Sequence, residues 1–331
     1  MITLQNVHHM TQLSISNDAI ISLFESHLAA NPDQILISEH RKNDFDQMYR
    51  VASDKGVFLL RVAPPDTARI LFYEQAMMRR EVALMEKMQG QISAPIPAVV
   101  AADFDRRLID RDYIIVEAPA GVYYSQITSL SHAQHDHVYA QLGAFLNQLH
   151  RITGSSHGYT GQIATTEPQQ SWSQVFSLMW KNLINDVVAC GMYNNEEALS
   201  LISLLEAYEA YFQRQSKPAL LHMGIRKENI MVDQKGTITG LLGFEAALWG
   251  DPEVEFAVLD CAGIWASAFW KGYGAPRPTD LGSRTRRKFY ILYEVQKNIP
   301  LAAKRYYDPE EAEQYKQTAI TIATNLASAT P

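Results

Sequence analysis

The residues of this chain whose types could carry chemistry are concentrated between positions 219 and 257. This stretch contains a histidine (His222), a side-chain amide (Asn229) and carboxylates that include Glu245 and Asp251. Histidine and carboxylate side chains transfer protons in enzyme active sites, and amide and carboxylate oxygens bind hard cations such as Mg²⁺. The stretch therefore predicts where the chemical centre of the molecule lies.

Short strands are predicted to position these side chains. Two β-prone runs, NIMV and TITGLLGF, flank the turn DQKG inside the stretch. Earlier in the chain, QMYRVAS and GVFLLRVAP indicate a hairpin that turns at Asp54-Lys55-Gly56. Apolar residues recur at helical spacing in FYEQAMMRREVALMEKMQ, which predicts a helix packed on that sheet. Another helix is predicted over 14–28, with Asn17 and Asp18 at its start.

The remaining pattern predicts an α+β fold with two lobes. Residues 1–118 are expected to form a small antiparallel β-sheet lobe with one packed helix. Residues 119–124, which include Pro119 and Gly121, are expected to form a hinge. Residues 125–331 are expected to form a larger, mainly helical lobe. Its predicted helices include three long segments: 171–190, 195–214 and 285–328.

Composition limits the classes of function. The chain has 331 residues, of which 47% are hydrophobic and 20% charged, as in ordinary globular proteins. Its net charge of −7 disfavours binding to nucleic acid or to an anionic membrane and suits a cationic small ligand. The two cysteines, Cys190 and Cys261, indicate neither a disulfide framework nor a zinc site. Because no signal peptide or long apolar run is found, we expect a cytoplasmic protein.

Seven fragments, in this order and spacing, resemble the aminoglycoside phosphotransferase family, whose relatives include choline and fructosamine kinases and, more distantly, protein kinases. The resemblance covers nearly the whole chain and implies a protein-kinase-like bilobal fold. It also implies phosphate transfer from ATP, with Mg²⁺, to a small-molecule acceptor. The fragments are MYRV…GVFLLRV, RREVALMEKM, APIPAVV, YIIVEAPAG, LGAFLNQLHRI, LLHMGIRKENIMV and GLLGFEAALWGDPEVEFA.

The resemblance assigns nucleotide-binding roles in the first lobe. Arg61 stands where the family carries a phosphate-binding cation, and Glu81 stands at the position of its helix acid. Glu117 and Pro119 fall where the hinge contacts the nucleotide. The family also covers the phosphates with a flexible glycine loop, but this chain has no glycine before Gly56. A close backbone cradle for phosphates is therefore not expected.

The same resemblance exposes two losses in the second lobe. The family's catalytic loop reads His-Gly-Asp-x-x-x-x-Asn, and here His222 and Asn229 match while the aspartate position is Gly224. The aspartate that carries the principal Mg²⁺ is replaced by Gly243, which leaves Asn229 as a weaker, neutral ligand. Mg²⁺ binding is thus expected to be weakened or absent. Asp251 is expected to be a buried acid that braces the loop.

Three interpretations follow from these losses. The first is a pseudokinase that binds a small molecule, and in one version a nucleotide, without ordinary Mg·ATP phosphotransfer. The second is an active small-molecule kinase in which Glu245 or Glu228 serves a displaced metal site. The third is a fold reused for another reaction or for a regulatory interaction. The resemblance implies that the region 263–280 flanks the acceptor pocket, with apolar walls from Trp265, Trp270 and Tyr273. The sequence leaves the oligomeric state open.

Overall fold

The computed structural model describes residues 15–42, 46–65, 71–160, 171–264 and 266–328. The first part is a five-stranded antiparallel sheet with the strand order β1-β2-β3-β5-β4. The predicted hairpin is confirmed, since Ser53 pairs with Gly56 across its turn. The strands are β1 (Leu36–Lys42), β2 (Gln47–Ser53), β3 (Gly56–Val62), β4 (Val99–Asp103) and β5 (Tyr113–Glu117).

A helix covers each face of this sheet. Helix α1 (Asn17–Leu28) packs against one face, where Phe58, Leu60 and Val62 of β3 point. Helix α2 (Met77–Met88) packs against the other, with Leu59 among its buried neighbours. Because side chains alternate along a strand, Arg61 points to the α2 face. The fold itself therefore brings Arg61 towards α2.

The start of α1 differs from the prediction. Asn17 and Asp18 are not the N-cap; the cap is Ser16, whose hydroxyl accepts a hydrogen bond from the backbone N–H of Ala19. Ser16 has the extended backbone that an N-cap requires, whereas Asn17 is already the first helical residue.

The second part contains seven helices within the described residues, together with two three-stranded sheets. The sheet orders are β10-β9-β6 and β7-β11-β8. The helices are α3 (His132–Arg151), α4 (Trp172–Ala189), α5 (Asn195–Ala207), α6 (Pro252–Cys261), α7 (Ser267–Tyr273), α8 (Leu281–Pro300) and α9 (Pro309–Ala327). The strands are β6 (Val122–Tyr123), β7 (Gly158–Tyr159), β8 (Ala219–Leu221), β9 (Ile230–Val232), β10 (Ile238–Leu241) and β11 (Leu248–Gly250).

Two predicted helices are shorter than expected. The segment 285–328 is not one helix, because α8 ends at Pro300 and is followed by a π-helical turn, Leu301–Arg305. Proline has no backbone N–H and disturbs the hydrogen-bond ladder of a helix, which accounts for the break. The segment 195–214 ends as an α-helix at Ala207 and continues in a short 3₁₀ turn, Glu209–Tyr211. None of the helices in the described parts of the chain has the length and apolar character of a membrane span.

Candidate functional site

The loop 222–229 lies between β8 and β9 and begins at a fully buried histidine. The Nδ1 atom of His222 accepts a hydrogen bond from the backbone N–H of Gly224 at 3.1 Å. Its ring packs on Phe244, with 4.0 Å between ring centroids, and its Nε2 is buried without a partner. Burial lowers the pKa of His222, although Glu255 opposes this shift. His222 is therefore neutral at physiological pH and shapes the loop through Nδ1.

A single carboxylate on α6 holds the loop backbone. Glu255 accepts hydrogen bonds from the backbone N–H of His222 at 2.8 Å and of Met223 at 2.7 Å. Its Oε2 also lies 3.2 Å from Nε2 of His150. Burial disfavours the charged form, but the contact with His150 and the neighbouring donors lower the pKa of Glu255. The loop thus depends on an ionised, fully buried acid.

Sequence reasoning assigned this bracing role to Asp251, and the structure corrects it. Asp251 is fully buried, as expected, but it caps α6 by accepting from the N–H of Glu253 and pairs with Arg214 at 2.5 Å. The brace, Glu255, lies one helical turn further along α6. An acid in the apolar run VEFAVL, four residues after Asp251, was the signal that could have found it.

We expect Glu255→Ala to lower the free energy of unfolding by about 2–3 kcal/mol, because buried donors lose a charged acceptor. Chemical denaturation followed by circular dichroism measures this change. The matched control is Glu206→Ala, since Glu206 forms an exposed ion pair with Lys181 at 3.0 Å. Such surface pairs contribute at most about 1 kcal/mol. Equal losses in the two variants would contradict a bracing role for Glu255.

Two glycines of the site, Gly224 and Gly243, lie in tightly packed positions next to each other. A Cβ atom added at Gly224 would lie 2.3 Å from the carbonyl oxygen of Gly243. A Cβ atom added at Gly243 would lie 2.3 Å from Nδ2 of Asn229, and Gly243 also has a φ of +89°. Distances this short are collisions, and the positive φ strains most side chains. The loop and the turn after β10 are therefore packed for glycine at both positions.

Asn229 takes part in this contact through its amide nitrogen. Its Nδ2 donates a hydrogen bond to the carbonyl oxygen of Gly224 at 2.8 Å. Among the described residues, no group of three or more His, Cys, Asp or Glu side chains is arranged to hold a metal ion. Hard cations require several oxygen ligands at about 2.0–2.6 Å. Gly243 offers no side-chain oxygen at the position where the family resemblance implies the main Mg²⁺ ligand.

A buried cation occupies the centre of the site. Arg61 contacts three carboxylates: Asp46 at 2.5 Å, Glu81 at 2.5 Å and Glu245 at 3.3 Å. Burial alone would lower the pKa of Arg61, but the three acids together raise it well above its usual value. Burial raises the pKa of Glu81 to about 7, with Glu245 and Asp46 adding to the effect and Arg61 opposing it. The cluster holds more acids than cations, and burial favours the protonated form of Glu81.

The contact with Glu245 joins the two parts of the molecule. Arg61 lies on β3, whereas Glu245 lies in the short 3₁₀ turn Phe244–Ala246 beyond β10. Asp46, which sequence reasoning did not single out, immediately precedes β2, and its neighbour Gln47 pairs with Val62 next to Arg61. That register was the signal that could have identified Asp46.

A small cavity lies in the cleft beside this cluster. Residues of both parts line it, including Tyr73, Met77, Met223, Asn229 and Glu245. It encloses about 60 Å³, which is room for a few water molecules. Sites for small ligands typically enclose about 300–1,000 Å³. This cavity, which the described residues line, is therefore smaller than a typical ligand site.

With this geometry in place, comparison with known proteins identifies the family. The model of the phosphotransferase enzyme family APH matches residues 39–290, well over half of the chain. The chain belongs to this family. The predicted resemblance is thereby confirmed at the level of the family.

Curated relatives of this APH-family chain are ketoamine kinases by name. A "probable ketoamine kinase" of Vibrio cholerae is 28% identical over 118 residues, which cover 34% of this chain and 40% of the relative. Another, from Staphylococcus aureus, is 26% identical over 178 residues, which cover 51% of this chain and 61% of the relative. The chain thus matches less than two thirds of the length of either relative.

Solved structures of the APH type share the fold. A "putative fructosamine-3-kinase" from Thermobifida fusca has a TM-score of 0.67 and 17% identity, covering 95% of this chain and 100% of that one. APH(2")-IIa in a ternary complex with streptomycin and ATP has a TM-score of 0.62 and 18% identity, covering 93% of this chain and 97% of that one. The predicted kinase-like α+β fold is confirmed.

The remaining family-based assignments fall on different parts of the APH fold. Glu117 ends β5 with an exposed side chain, and Pro119 packs so closely on Gly240 that a Cβ there would lie 2.5 Å from it. Trp270 and Tyr273 lie on α7, where the Tyr273 hydroxyl is 2.8 Å from Nδ1 of His150, and neither lines the cleft cavity. Trp265 lies outside the described residues. Nucleotide binding and acceptor binding by these residues stay predictions.

Proposed function

We propose that this protein is a pseudokinase of the aminoglycoside phosphotransferase type, which uses its cleft to bind a small molecule and does not catalyse ordinary Mg·ATP phosphotransfer. The proposal takes Gly224 and Gly243 as the positions where the family is expected to carry its catalytic and metal-binding aspartates. The observation that carries the proposal is the contact between these two positions. A Cβ atom at Gly224 would meet the backbone oxygen of Gly243 at 2.3 Å, and one at Gly243 would meet the side-chain amide of Asn229 at 2.3 Å, so either side chain would require its neighbours to move.

The size of the expected chemical loss supports inactivity over slow catalysis. A positioned general base contributes about two to four decades of rate. A metal that stabilises the charge of a transferring phosphoryl group contributes several kcal/mol more. Because groups that act together are not additive, the total cannot be summed, but both parts are missing from one reaction.

Two observations favour a second candidate, an active kinase with a displaced metal site. Glu245 lines the cleft cavity together with Asn229, and the curated relatives are named as probable ketoamine kinases. Against this candidate, Arg61 lies 3.3 Å from Oε2 of Glu245. A divalent cation at this carboxylate would have to be placed beside a buried, fully charged guanidinium, which like charges disfavour.

The deciding experiment combines turnover with binding. The protein is incubated with ATP, Mg²⁺ or Mn²⁺ and a panel of ketoamine, amino-alcohol and aminoglycoside acceptors, and ADP release is measured. We expect no turnover above the no-enzyme blank. Turnover that Glu245→Gln abolishes would replace the proposal with the displaced-metal kinase. Melting curves with ATP, with and without Mg²⁺, show in parallel whether the cleft binds a nucleotide, since a ligand of the folded state raises the melting temperature.

A further inference from the structure

Helix α2 carries a second buried arginine, next to Glu81. Only 7% of Arg80 is exposed. Its Nη2 donates a hydrogen bond to the carbonyl oxygen of Tyr73, but its Nε and Nη1 are buried without any hydrogen-bond partner. Burial lowers the pKa of Arg80 to about 10, so the group remains charged at neutral pH. A buried cation with two unused donors is costly and requires a physical reason.

The acids whose charges act on the nearby tyrosines Tyr73 and Tyr293 have partners of their own. Glu74 pairs with Arg305 at 2.8 Å, and Glu294 pairs with Lys297 at 2.6 Å. Asp186 accepts a hydrogen bond from the backbone N–H of Phe72 at 2.8 Å. Within the part of the chain that the structure describes, none of these carboxylates forms an ion pair with Arg80. The counter-ion that a buried guanidinium requires is therefore not supplied by them.

Tyrosine hydroxyls complete the surroundings of this cation. Tyr73 and Tyr159 stack with 4.4 Å between their ring centroids, and the hydroxyls of Tyr159 and Tyr293 are 3.1 Å apart. Burial raises the pKa of all three hydroxyls well above the usual value, so they stay protonated. The charge of Arg80 acts on Tyr73 and Tyr159, which places their hydroxyls in its field. Neutral hydroxyls and a guanidinium together are donors for an anion.

We infer that Arg80 anchors a site for the anionic group of a small molecule, a phosphate or a carboxylate, with Tyr73 and Tyr159 as its neighbours. Tyr73 lines the cleft cavity and its carbonyl oxygen accepts from Arg80, so the anionic group would approach Arg80 from the cleft side. The planar fork of arginine matches both phosphate and carboxylate oxygens. This inference rests on the proposed function only in using the same cleft for a ligand, and it holds equally for an active kinase.

The test compares two adjacent arginines of α2. Arg80→Met removes the buried cation, and the control Arg79→Met removes an arginine whose side chain is 57% exposed. Melting temperatures of the full-length proteins are measured in potassium chloride and then in phosphate or acetate at equal ionic strength, without ATP or metal. Phosphate and acetate distinguish the two classes of anion.

For the wild type and Arg79→Met, we expect a saturable rise of about 5 °C at a hundred-fold excess of the better anion over its dissociation constant. For Arg80→Met, we expect a melting temperature at least as high as wild type in chloride, because an unpaired buried charge is gone, and no response to the anion. Equal responses of all three proteins, or no response of the wild type, would overturn the inference.

A binding measurement keeps the inference testable if Arg80→Met does not fold. Equilibrium dialysis of wild-type protein with labelled phosphate, and with labelled acetate, is expected to give one saturable site per chain for at least one of the two. The absence of saturable binding for both would overturn the inference. Because no ATP is present, this outcome is independent of whether the protein transfers phosphate.

Discussion

Restoring both family aspartates, by Gly224→Asp together with Gly243→Asp, is expected to leave the protein without kinase activity and to lower its free energy of unfolding by about 3 kcal/mol or more. Each new Cβ would lie 2.3 Å from a neighbouring atom, and overpacking a filled site costs about 1–3 kcal/mol. Gly243 also has a φ of +89°, a conformation that adds about 1–3 kcal/mol for a residue with a side chain. Denaturant unfolding and ADP release measure the two effects.

A control separates backbone strain from collision. Gly90 has a φ of +74° and no atom within 4 Å of an added Cβ, so Gly90→Asp carries the strain alone. We expect it to lose clearly less stability than the double variant. ATP-dependent transfer by the double variant would mean that the loop 222–229 and the turn after β10 reopen readily. That result would make the loss of the acids, and not the closed packing, the reason for inactivity.

The fold could be predicted because its signals are local. The DKG turn, the alternating apolar residues of β3 and the helical spacing in α2 each report a neighbour within a few residues. The helix limits at Ser16 and Pro300 were predicted less well, since a cap or a break depends on one residue's backbone. The family follows from the order of several such fragments, which chance does not reproduce.

The candidate site could be predicted only in part, because its contacts join distant segments. The family resemblance predicts that Arg61 pairs with Glu81, and in the structure Nη1 of Arg61 lies 2.5 Å from Oε1 of Glu81. Asp46 and Glu255 fill the same kind of role, but the sequence offers only indirect signals for them: the register of the hairpin beside β3 and an acid within an apolar run. Arg80 stands beside Glu81 in the sequence, but its unused donors depend on burial, which a sequence does not record.

The close packing around Gly224 and Gly243 could not be predicted from the sequence either. A glycine in place of an aspartate records a missing carboxylate, but it does not tell whether the vacated space is open to a substitute. At Gly224 and Gly243 the backbone and Asn229 have taken that space. Arg61 in turn contacts Glu245, the acid that was weighed as a replacement. Glu245 is thus engaged by a cation of the chain itself.

Replacing this cation, by Arg61→Met, is expected to lower the free energy of unfolding by about 3–5 kcal/mol, the usual cost of removing one partner from a buried ionic group. Three carboxylates would lose their shared partner: Asp46, Glu81 and Glu245. The matched control is Arg50→Met on the adjacent strand β2, where Arg50 is half-buried and lies opposite Leu59. We expect this control to lose about 1 kcal/mol or less, as surface charges do.

The pH dependence of this variant shows whether Arg61 stabilises the fold by charge or by packing. A buried acid with a raised pKa binds its proton in the folded state first, so its destabilising effect grows as pH rises from the unfolded pKa through the folded one. Without Arg61, the three acids keep their burial and lose the cation that favours their ionised forms. The gap in unfolding free energy between wild type and Arg61→Met should therefore be larger at pH 8 than at pH 5.5. Denaturant unfolding at both values measures it, and a gap that is independent of pH would show that Arg61 stabilises the fold by packing and not by charge.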